Sequence, residues 1–300
     1  MQTQTLSELW AQARQIIKTK RERGTPEFPT GISWLDEVTG GMNRGEIWII
    51  AAKPGLGKTA LALQLAREFA DNPQNKVAFF SLEMRGWQLM LRMFCEINNV
   101  DHSMLITGKE DIAEGFSNSF QKFIEGIDFE IIESGYIFEE VEATIKQLYE
   151  QDKPDIIFLD FVQLVEWKQF KDERVAITEY IRKIKEMANK YNIGFVIVSQ
   201  IRRLPSGADM NREPDISDLK GTGALEAVAD KILIIYREIL KGQFGNDIKY
   251  FINLAKNRQG ELRKEQVVFE GWRYHFRELK SQDNKQLKVA QETFGGEIVS

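Results

Sequence analysis

The sequence predicts an α/β fold in which a mostly parallel, twisted sheet is flanked by helices and ends in antiparallel edge strands. From Thr30 onward, short and continuously apolar runs alternate with stretches of helical periodicity. Such runs are typical of strands that are buried on both faces of a parallel sheet. A glycine-rich loop joins one run to a helical stretch, and residues 248–278 have the pattern of antiparallel strands at a sheet edge.

The first element is an amphipathic helix that stands alone before a linker. Thr5 and Glu8 fit a capping box, and apolar residues follow at helical spacing as far as Ile17. Glycine and proline between residues 24 and 29 end this pattern. Because one helix cannot bury its own apolar stripe, it packs either on its own domain or on a neighbouring subunit, and the residues leave both options open.

The rest of the chain divides into a single large domain and a tail. Apolar runs predict seven strands, at residues 47–51, 77–81, 129–132, 156–160, 195–199, 231–236 and 249–254. Helical periodicity predicts four helices, at residues 58–70, 86–97, 138–151 and 175–191. We therefore predict a helix and flexible linker over 1–29, one domain over 30–280 and a mobile polar tail over 281–300.

Composition excludes several classes of protein. The 300 residues are 43% hydrophobic and 28% charged, which is typical of a globular chain. No apolar run approaches the roughly 20 residues of a membrane helix, and no secretory leader opens the sequence, so we expect a cytoplasmic protein without membrane contact. The single cysteine, Cys95, fits a reducing compartment, and two histidines make a histidine metal site unexpected. A net charge of −5 argues against an overall basic surface, though it permits a local one.

The strongest local signal is the segment from Ala52 to Thr59, which has the spacing of a phosphate-binding P-loop between a strand and a helix. Glycines let the loop curl so that backbone N–H groups converge on phosphate oxygens. Lys58 is expected to reach the β- and γ-phosphates, and Thr59 to ligate Mg²⁺. Ala52 replaces the usual first glycine, which requires a negative φ there. The predicted nucleotide contacts are Pro54, Gly55, Leu56, Gly57, Lys58, Thr59 and Ala60.

Polar residues end three further predicted strands, at the sheet edge where such folds bind ligands. Asp160 follows a buried run, as a Walker B acid does when it holds magnesium. Glu83 is placed to polarise an attacking water, and Gln200 to sense the γ-phosphate by hydrogen bonding. Taken singly, Asp160 is also compatible with a turn cap and Glu83 with a solvated acid.

Five further motifs occur in a fixed order along the chain: Phe80–Met84, Asp160–Leu164, Ser199-Gln200, Ser217–Gly223 and Lys256–Gly260. Together they resemble the motifs of the DnaB-like replicative helicases, a hexameric RecA-like superfamily. The resemblance covers about residues 25–278 and implies a RecA-like P-loop NTPase fold that uses ATP and Mg²⁺.

The resemblance assigns roles to the matching positions. It implies that Glu83 is the catalytic base, that Gln200 is a coupling sensor, and that Lys256 and Arg258 reach the γ-phosphate on the adjacent subunit. Without it, Lys256 and Arg258 are better interpreted as a solvated basic turn. The catalytic residues so implied are Lys58, Glu83, Asp160, Gln200, Lys256 and Arg258, with Thr59 and Asp160 at the metal.

The same family holds single-stranded DNA on loops inside its ring. The resemblance therefore implies DNA contacts at Lys220, Gly221 and Gly223, where glycine lets the backbone approach the sugar-phosphate chain. Many relatives have arginine and then glutamate at the first two of these positions, so only backbone contacts carry over directly. Arg202 and Arg203 are candidate phosphate contacts, with solvated surface charge as the alternative.

The function expected from the resemblance is an ATP-driven, ring-shaped DNA helicase that moves 5′→3′ on single-stranded DNA and unwinds a replication fork. Implied partners are single-stranded DNA, forked duplex, five further copies of the chain, and a loader or primase, although only about 30 residues precede the motor and no collar domain is expected. Alternatives with the same fold are a RecA- or KaiC-like ATPase that mediates recombination or regulates without unwinding, a non-catalytic ring subunit, and a small-molecule kinase. The motifs at 217–223 and 256–260 favour the helicase.

Overall fold

The computed structural model describes residues 5–24, 26–109, 111–112, 114–133, 137–160, 173–202, 212–219, 222–242 and 245–280. Within these ranges, nine strands form one sheet. They are β1 (Ile47–Ala52), β2 (Lys76–Ser81), β3 (Asp128–Glu133), β4 (Ile156–Asp160), β5 (Gly194–Gln200), β6 (Lys231–Gly242), β7 (Gly245–Asn257), β8 (Arg263–Glu270) and β9 (His275–Glu278).

The strand order is β3-β2-β4-β5-β1-β6-β7-β8-β9. The first six strands in this order pair in parallel, and β7, β8 and β9 continue the sheet in antiparallel pairs. The predicted class is confirmed, including the antiparallel edge at the C-terminal end of the domain.

Helices cover both faces of the parallel part. In chain order they are α1 (Leu6–Arg23), α2 (Ser33–Thr39), α3 (Lys58–Ala70), α4 (Gly86–Asn98), α5 (His102–Ile106), α6 (Glu114–Glu125), α7 (Phe138–Asp152), α8 (Glu173–Tyr191) and α9 (Thr222–Val228). A short 3₁₀ turn, Ile216–Asp218, precedes α9. The four helices predicted within the domain are confirmed as α3, α4, α7 and α8.

Alternation along β1 shows how the two hydrophobic cores are divided. Trp48, Ile50 and Ala52 belong to the core that contains α3 and α4. Ile47 and its alternate neighbours belong to the core that contains α7 and α8. Every residue of β1 is buried, which explains why the strand reads as a continuous apolar run rather than an alternating one.

The N-terminal helix α1 begins as predicted, and its large apolar side chains are exposed in the described part of the chain. Glu8 accepts hydrogen bonds from the backbone N–H and hydroxyl of Thr5, which completes the capping box. Trp10 and Ile17 are both about 60% exposed, at 62% and 61% respectively. Phe28, by contrast, is fully buried in the domain core. The predicted boundary after residue 29 stays a prediction, and residues 281–300 lie outside the described part.

None of the helices within the described ranges combines the length and the apolar character that crossing a bilayer demands.

A buried ion pair joins the starting ends of β1 and β6. The Lys231 ammonium lies 3.0 Å from both carboxylate oxygens of Glu46 and is fully buried. The Trp48 indole N–H and the Asn43 amide also donate to Glu46, so the carboxylate oxygens are well satisfied. Such a pair is strongly destabilising when only one partner is removed, because the remaining charge stays buried without compensation.

We therefore expect Lys231→Met to lower the free energy of unfolding by about 3 kcal/mol. Replacing Glu46 by glutamine in the same chain removes the buried charge as well and should restore part of the loss. Denaturant unfolding of both variants measures this, with the exposed Lys122→Met as control. A double variant less stable than Lys231→Met would contradict the assignment.

Candidate functional site

The phosphate loop lies where the sequence predicts it, between the end of β1 and the start of α3. Gly55 and Gly57 have positive φ values of 77° and 87°, so both use backbone conformations that other residues rarely adopt. Ala52 lies outside that region of φ, which explains why alanine is tolerated at the first position of the motif. The Lys58 side chain is 12% exposed and Thr59 is buried.

Two aromatic rings of the antiparallel edge press against the loop. A Cβ atom at Gly57 would lie 2.9 Å from Phe276 and 3.0 Å from Phe269, so a larger residue does not fit there. The two rings stack on each other with centroids 4.4 Å apart. The Gln64 amide exchanges two 2.9 Å hydrogen bonds with the backbone of Phe276. The edge strand β9 therefore holds the first turns of α3 and the loop together.

Parallel pairing brings the predicted polar residues together at the C-terminal ends of neighbouring strands. Ser81 is in register with Asp160, and Ala52 with Gln200. Glu83 lies two residues beyond the end of β2, and its carboxylate is 4.0 Å from the Lys58 ammonium. Its side chain is 49% exposed, so it faces the space above the loop from the side of β2.

Asp160 differs from Glu83 in its surroundings. It is only 1% exposed, and burial raises the pKa of its carboxyl to about 6, although a hydrogen bond from Thr59 and the charge of Lys58 act in the opposite direction. One carboxylate oxygen, Oδ1, is buried without a hydrogen-bond partner among the described residues. An unsatisfied carboxylate oxygen beside a threonine hydroxyl is the hard-oxygen environment that Mg²⁺ prefers, so the residues present fit this metal.

A cavity of about 360 Å³ opens beside Lys58, Thr59 and Glu83 and reveals residues that the sequence analysis missed. Glu83 and the loop form one wall, and Phe269, Gly271, Tyr274 and Arg92 form another. The Arg92 guanidinium lies 4.3 Å from the centre of the Tyr274 ring. Its positive charge acts to lower the pKa of Asp160, against the effect of burial.

Tyr274 adopts φ of 61°, which is unusual for a bulky residue. Its hydroxyl lies 3.2 Å from Nδ1 of His102, and the two rings make an edge contact. Burial and the charge of Arg92 lower the pKa of His102. One feature of the sequence singles out Arg92, because it is the only basic residue of α4. No local pattern, however, links it to Tyr274, which lies about 180 residues later in the chain.

The two cations assigned to the adjacent subunit, Lys256 and Arg258, lie far from the phosphate loop of their own chain. Arg258 Nη1 donates to Asp230 at 3.2 Å, and Asp230 in turn accepts from the backbone N–H of Ile47 at 2.9 Å. Ile47 starts β1 whereas the loop follows its end at Ala52, a distance of about 16 Å along the strand. Both cations therefore lie towards the end of the sheet at which β1 begins, opposite to the end that carries the phosphate loop.

The described part of the predicted DNA-binding segment lies beside the end of β5. Ile201 forms an isolated bridge with Leu219, and the backbone N–H of Arg202 donates to Asp218 at 2.9 Å. Arg202 and Gly223 are exposed. Arg203, Lys220 and Gly221 lie outside the described residues, so their predicted contacts stay predictions.

Comparison with known sequences gives the family. Residues 27–278 match the DnaB-like helicase C terminal domain. The chain belongs to this family. The match includes the nine described strands and spans the predicted site residues, so the resemblance inferred from five motifs is confirmed over residues 27–278.

Curated relatives include bacterial and plasmid helicases. The chain is 30% identical over 255 residues to a replicative DNA helicase DnaC of Bacillus subtilis, covering 81% of this chain and 54% of that protein. It is 29% identical over 276 residues to a replicative DNA helicase DnaB of Helicobacter pylori, with 88% and 54% covered. A probable plasmid replicative DNA helicase of Chlamydia trachomatis is 30% identical over 237 residues, with 78% and 51% covered. The chain thus spans about half the length of these relatives.

Solved structures share the fold. The ATPase domain of G40P superposes with a TM-score of 0.80 at 24% identity, covering 93% of this chain and all of that one. A DnaB-like replicative helicase, described with its interactions with primase, gives 0.77 at 24% identity and covers 93% of this chain and 68% of the other. A KaiC-like protein of Pyrococcus horikoshii gives 0.58 at 16% identity, with 83% and 96% covered.

The raised pKa of Asp160 has a measurable consequence for stability. Because the ionised carboxylate is disfavoured in the fold, the wild type loses stability relative to Asp160→Asn as the pH rises from about 4 to 6. We expect the nucleotide-free variant's advantage in free energy of unfolding to be about 1 kcal/mol larger at pH 8 than at pH 5. Urea unfolding at both pH values measures it, with the exposed Asp71→Asn as control. An equal difference at the two pH values would contradict the burial argument.

Proposed function

We propose that this chain is the motor of a ring-shaped, ATP-driven DNA helicase that unwinds duplex at a replication fork. The proposal depends above all on the family match over residues 27–278, because the phosphate loop alone would serve many nucleotide hydrolases. Movement in the 5′→3′ direction, a cytoplasmic location, and a loader or primase as partner belong to the same proposal.

In this proposal the described strand ends carry out hydrolysis on one face of the chain. Lys58 neutralises charge on the β- and γ-phosphates, and Thr59 with Asp160 would hold Mg²⁺, which supplies further neutralisation when it is bound. The half-exposed carboxylate of Glu83 accepts a proton from the attacking water. Gln200, in register with the first residue of the loop, detects the γ-phosphate by hydrogen bonding.

The other half of the reaction site comes from a neighbouring copy. Lys256 and Arg258 lie near the start of β1, whereas the phosphate loop of the same chain follows the end of β1. A nucleotide that these two cations contact therefore belongs to another chain. An arginine supplied in this way stabilises the charge that develops on the γ-phosphate. The exposed apolar side of α1 supports the same arrangement, because a neighbouring copy would cover Trp10 and Ile17. The proposed assembly is a hexameric ring.

Single-stranded DNA would pass along the segment that follows β5. Arg202 contributes a positive charge and Gly223 an exposed backbone at the start of α9. Repeated in each copy around a ring, a few such contacts give a salt-dependent grip on the phosphate chain of DNA, although the protein as a whole is acidic.

Strand separation is the direct test of this function. We expect the purified chain, with ATP and Mg²⁺, to displace one strand of a forked duplex. Glu83→Gln should bind nucleotide yet displace nothing, because the base is lost, whereas Glu130→Gln on the exposed side of β3 should behave as the wild type. DNA-stimulated ATP hydrolysis without displacement would indicate a RecA- or KaiC-like mediator, and no hydrolysis at all would indicate a non-catalytic ring subunit.

The shared site gives a second prediction. We expect Arg258→Ala to lower the ATP turnover number by about a thousandfold or more while nucleotide affinity stays nearly unchanged. Turnover and the binding of a fluorescent ATP analogue measure the two quantities, and replacement of the exposed Arg237 of β6 by alanine is the control.

Mixtures separate a shared site from an internal one. Inactive Arg258→Ala and inactive Lys58→Ala chains should regain part of the activity when they assemble together, because some junctions then combine an intact loop with an intact arginine. A mixture as inactive as its components would contradict the assignment to a neighbouring chain.

A further inference from the structure

The contacts around Arg258 point to a role for Asp230 that rests on the proposed function. We propose that Asp230 and the last turn of α9 restrain Arg258 and Lys256 on their own chain, so that DNA held at the start of α9 releases them for the neighbour's nucleotide. Asp230 is then a positioning residue that makes hydrolysis depend on DNA.

Arg258 is attached to its own chain at three points. Its guanidinium donates to the Asp230 carboxylate at 3.2 Å and to the backbone carbonyl of Ala227, and its backbone N–H donates to the Asp230 carbonyl at 3.0 Å. A guanidinium paired with a carboxylate forms a charge-assisted bond, which is stronger than a neutral one. Reaching a phosphate on another chain therefore requires that this pair opens or shifts.

Lys256 is held in the same way. Its ammonium donates to the backbone carbonyl of Glu226, one residue before the carbonyl that binds Arg258. Carbonyls in the last turn of a helix carry partial negative charge and favour cations. Both cations are thus bound to the last turn of one short helix, α9, and Arg258 is bound in addition to Asp230, two residues beyond its end.

The start of that helix belongs to the predicted DNA-binding segment. Gly223 is the second residue of α9, and the preceding turn Ile216–Asp218 packs against the helix. The seven residues span about 10 Å, so a shift imposed at Gly223 is transmitted directly to Ala227. Arg202 bonds to the same turn, and it follows the predicted sensor Gln200 by two residues.

Asp230 itself is fixed independently of Arg258. Its second carboxylate oxygen accepts from the backbone N–H of Ile47 at 2.9 Å and lies 3.5 Å from the Lys185 ammonium. Its backbone N–H donates to the Ile47 carbonyl at 2.8 Å. Because β1 anchors Asp230, movement of α9 changes the geometry between the helix carbonyls, the carboxylate and Arg258 instead of carrying all three together.

The test compares ATP turnover with and without single-stranded DNA for the full chain and for Asp230→Asn. Asparagine keeps an oxygen for the Ile47 N–H but removes the charge that restrains Arg258. We expect DNA-free turnover to rise about fivefold while turnover with saturating DNA stays within about twofold, so that stimulation by DNA largely disappears. Lys185→Gln, which alters the other side of Asp230 without touching Arg258, should keep the wild-type stimulation.

A second variant tests whether α9 restrains Arg258, and it can replace Asp230→Asn if that variant does not fold. Ala227→Gly keeps the carbonyl that binds Arg258 but loosens α9, so it should also raise DNA-free turnover and reduce stimulation. Unchanged stimulation in the variants, or a fall of both rates as in Arg258→Ala, would overturn the restraint. A wild type whose turnover does not respond to DNA would instead overturn the proposed function together with it.

Discussion

The close contact between Gly57 and the rings of Phe269 and Phe276 is the constraint on which the site depends. It fixes the phosphate loop from the side of the antiparallel edge while β1 fixes it from the parallel part. The Gln64 amide adds two hydrogen bonds to the backbone of the same edge strand. The last strand of the sheet therefore has a structural role: it packs against α3 and supports the phosphate loop at the start of that helix.

The parallel sheet places the carboxylates of Asp160 and Glu83 at different depths below the protein surface. Asp160 ends a central strand and is almost fully buried, whereas Glu83 extends beyond β2 and is half exposed. Burial makes the first carboxylate costly to ionise without a cation, which favours metal or lysine beside it. Exposure leaves the second one in reach of water. Two acids that look alike in sequence thus have different environments because of their positions on neighbouring strands, and these environments suit the different roles proposed for them.

The sequence predicted what local patterns determine. The helix at 58–70 was correct to the residue because a glycine loop defines its start, and β1 and β4 read as apolar runs because both of their faces are buried. Four helices were not predicted, namely α2, α5, α6 and α9. Of these, α2 has seven residues and no side-chain cap, so it lacks a local signal. The strands β6 and β7 continue well beyond their predicted ends, because pairing with each other replaces the apolar pattern there.

The wall of the cavity formed by Arg92 and Tyr274 was missed for a different reason. Their contact joins α4 to the turn between β8 and β9, and no periodicity within either segment records it. His102 and the carbonyl of Trp272, which accepts from the His102 backbone N–H, strengthen the same long-range contact. Candidate site residues at the ends of regular strands can thus be predicted from the sequence. Those that are brought together by contacts between distant segments can be identified only from the structure.

The positions of Lys58 and Arg258 in one chain also support the proposed sharing of the reaction site between copies. Parallel strands carry the phosphate loop at their C-terminal ends, and the residues that precede β6 hold Arg258 towards the other edge. A rigid sheet cannot bring these edges together, so any site that uses both Lys58 and Arg258 must form between copies. In the proposed assembly the two ends of each sheet would face different neighbours, so the contact would be head-to-tail. Contacts of that kind repeat until they close into a ring or continue as a filament.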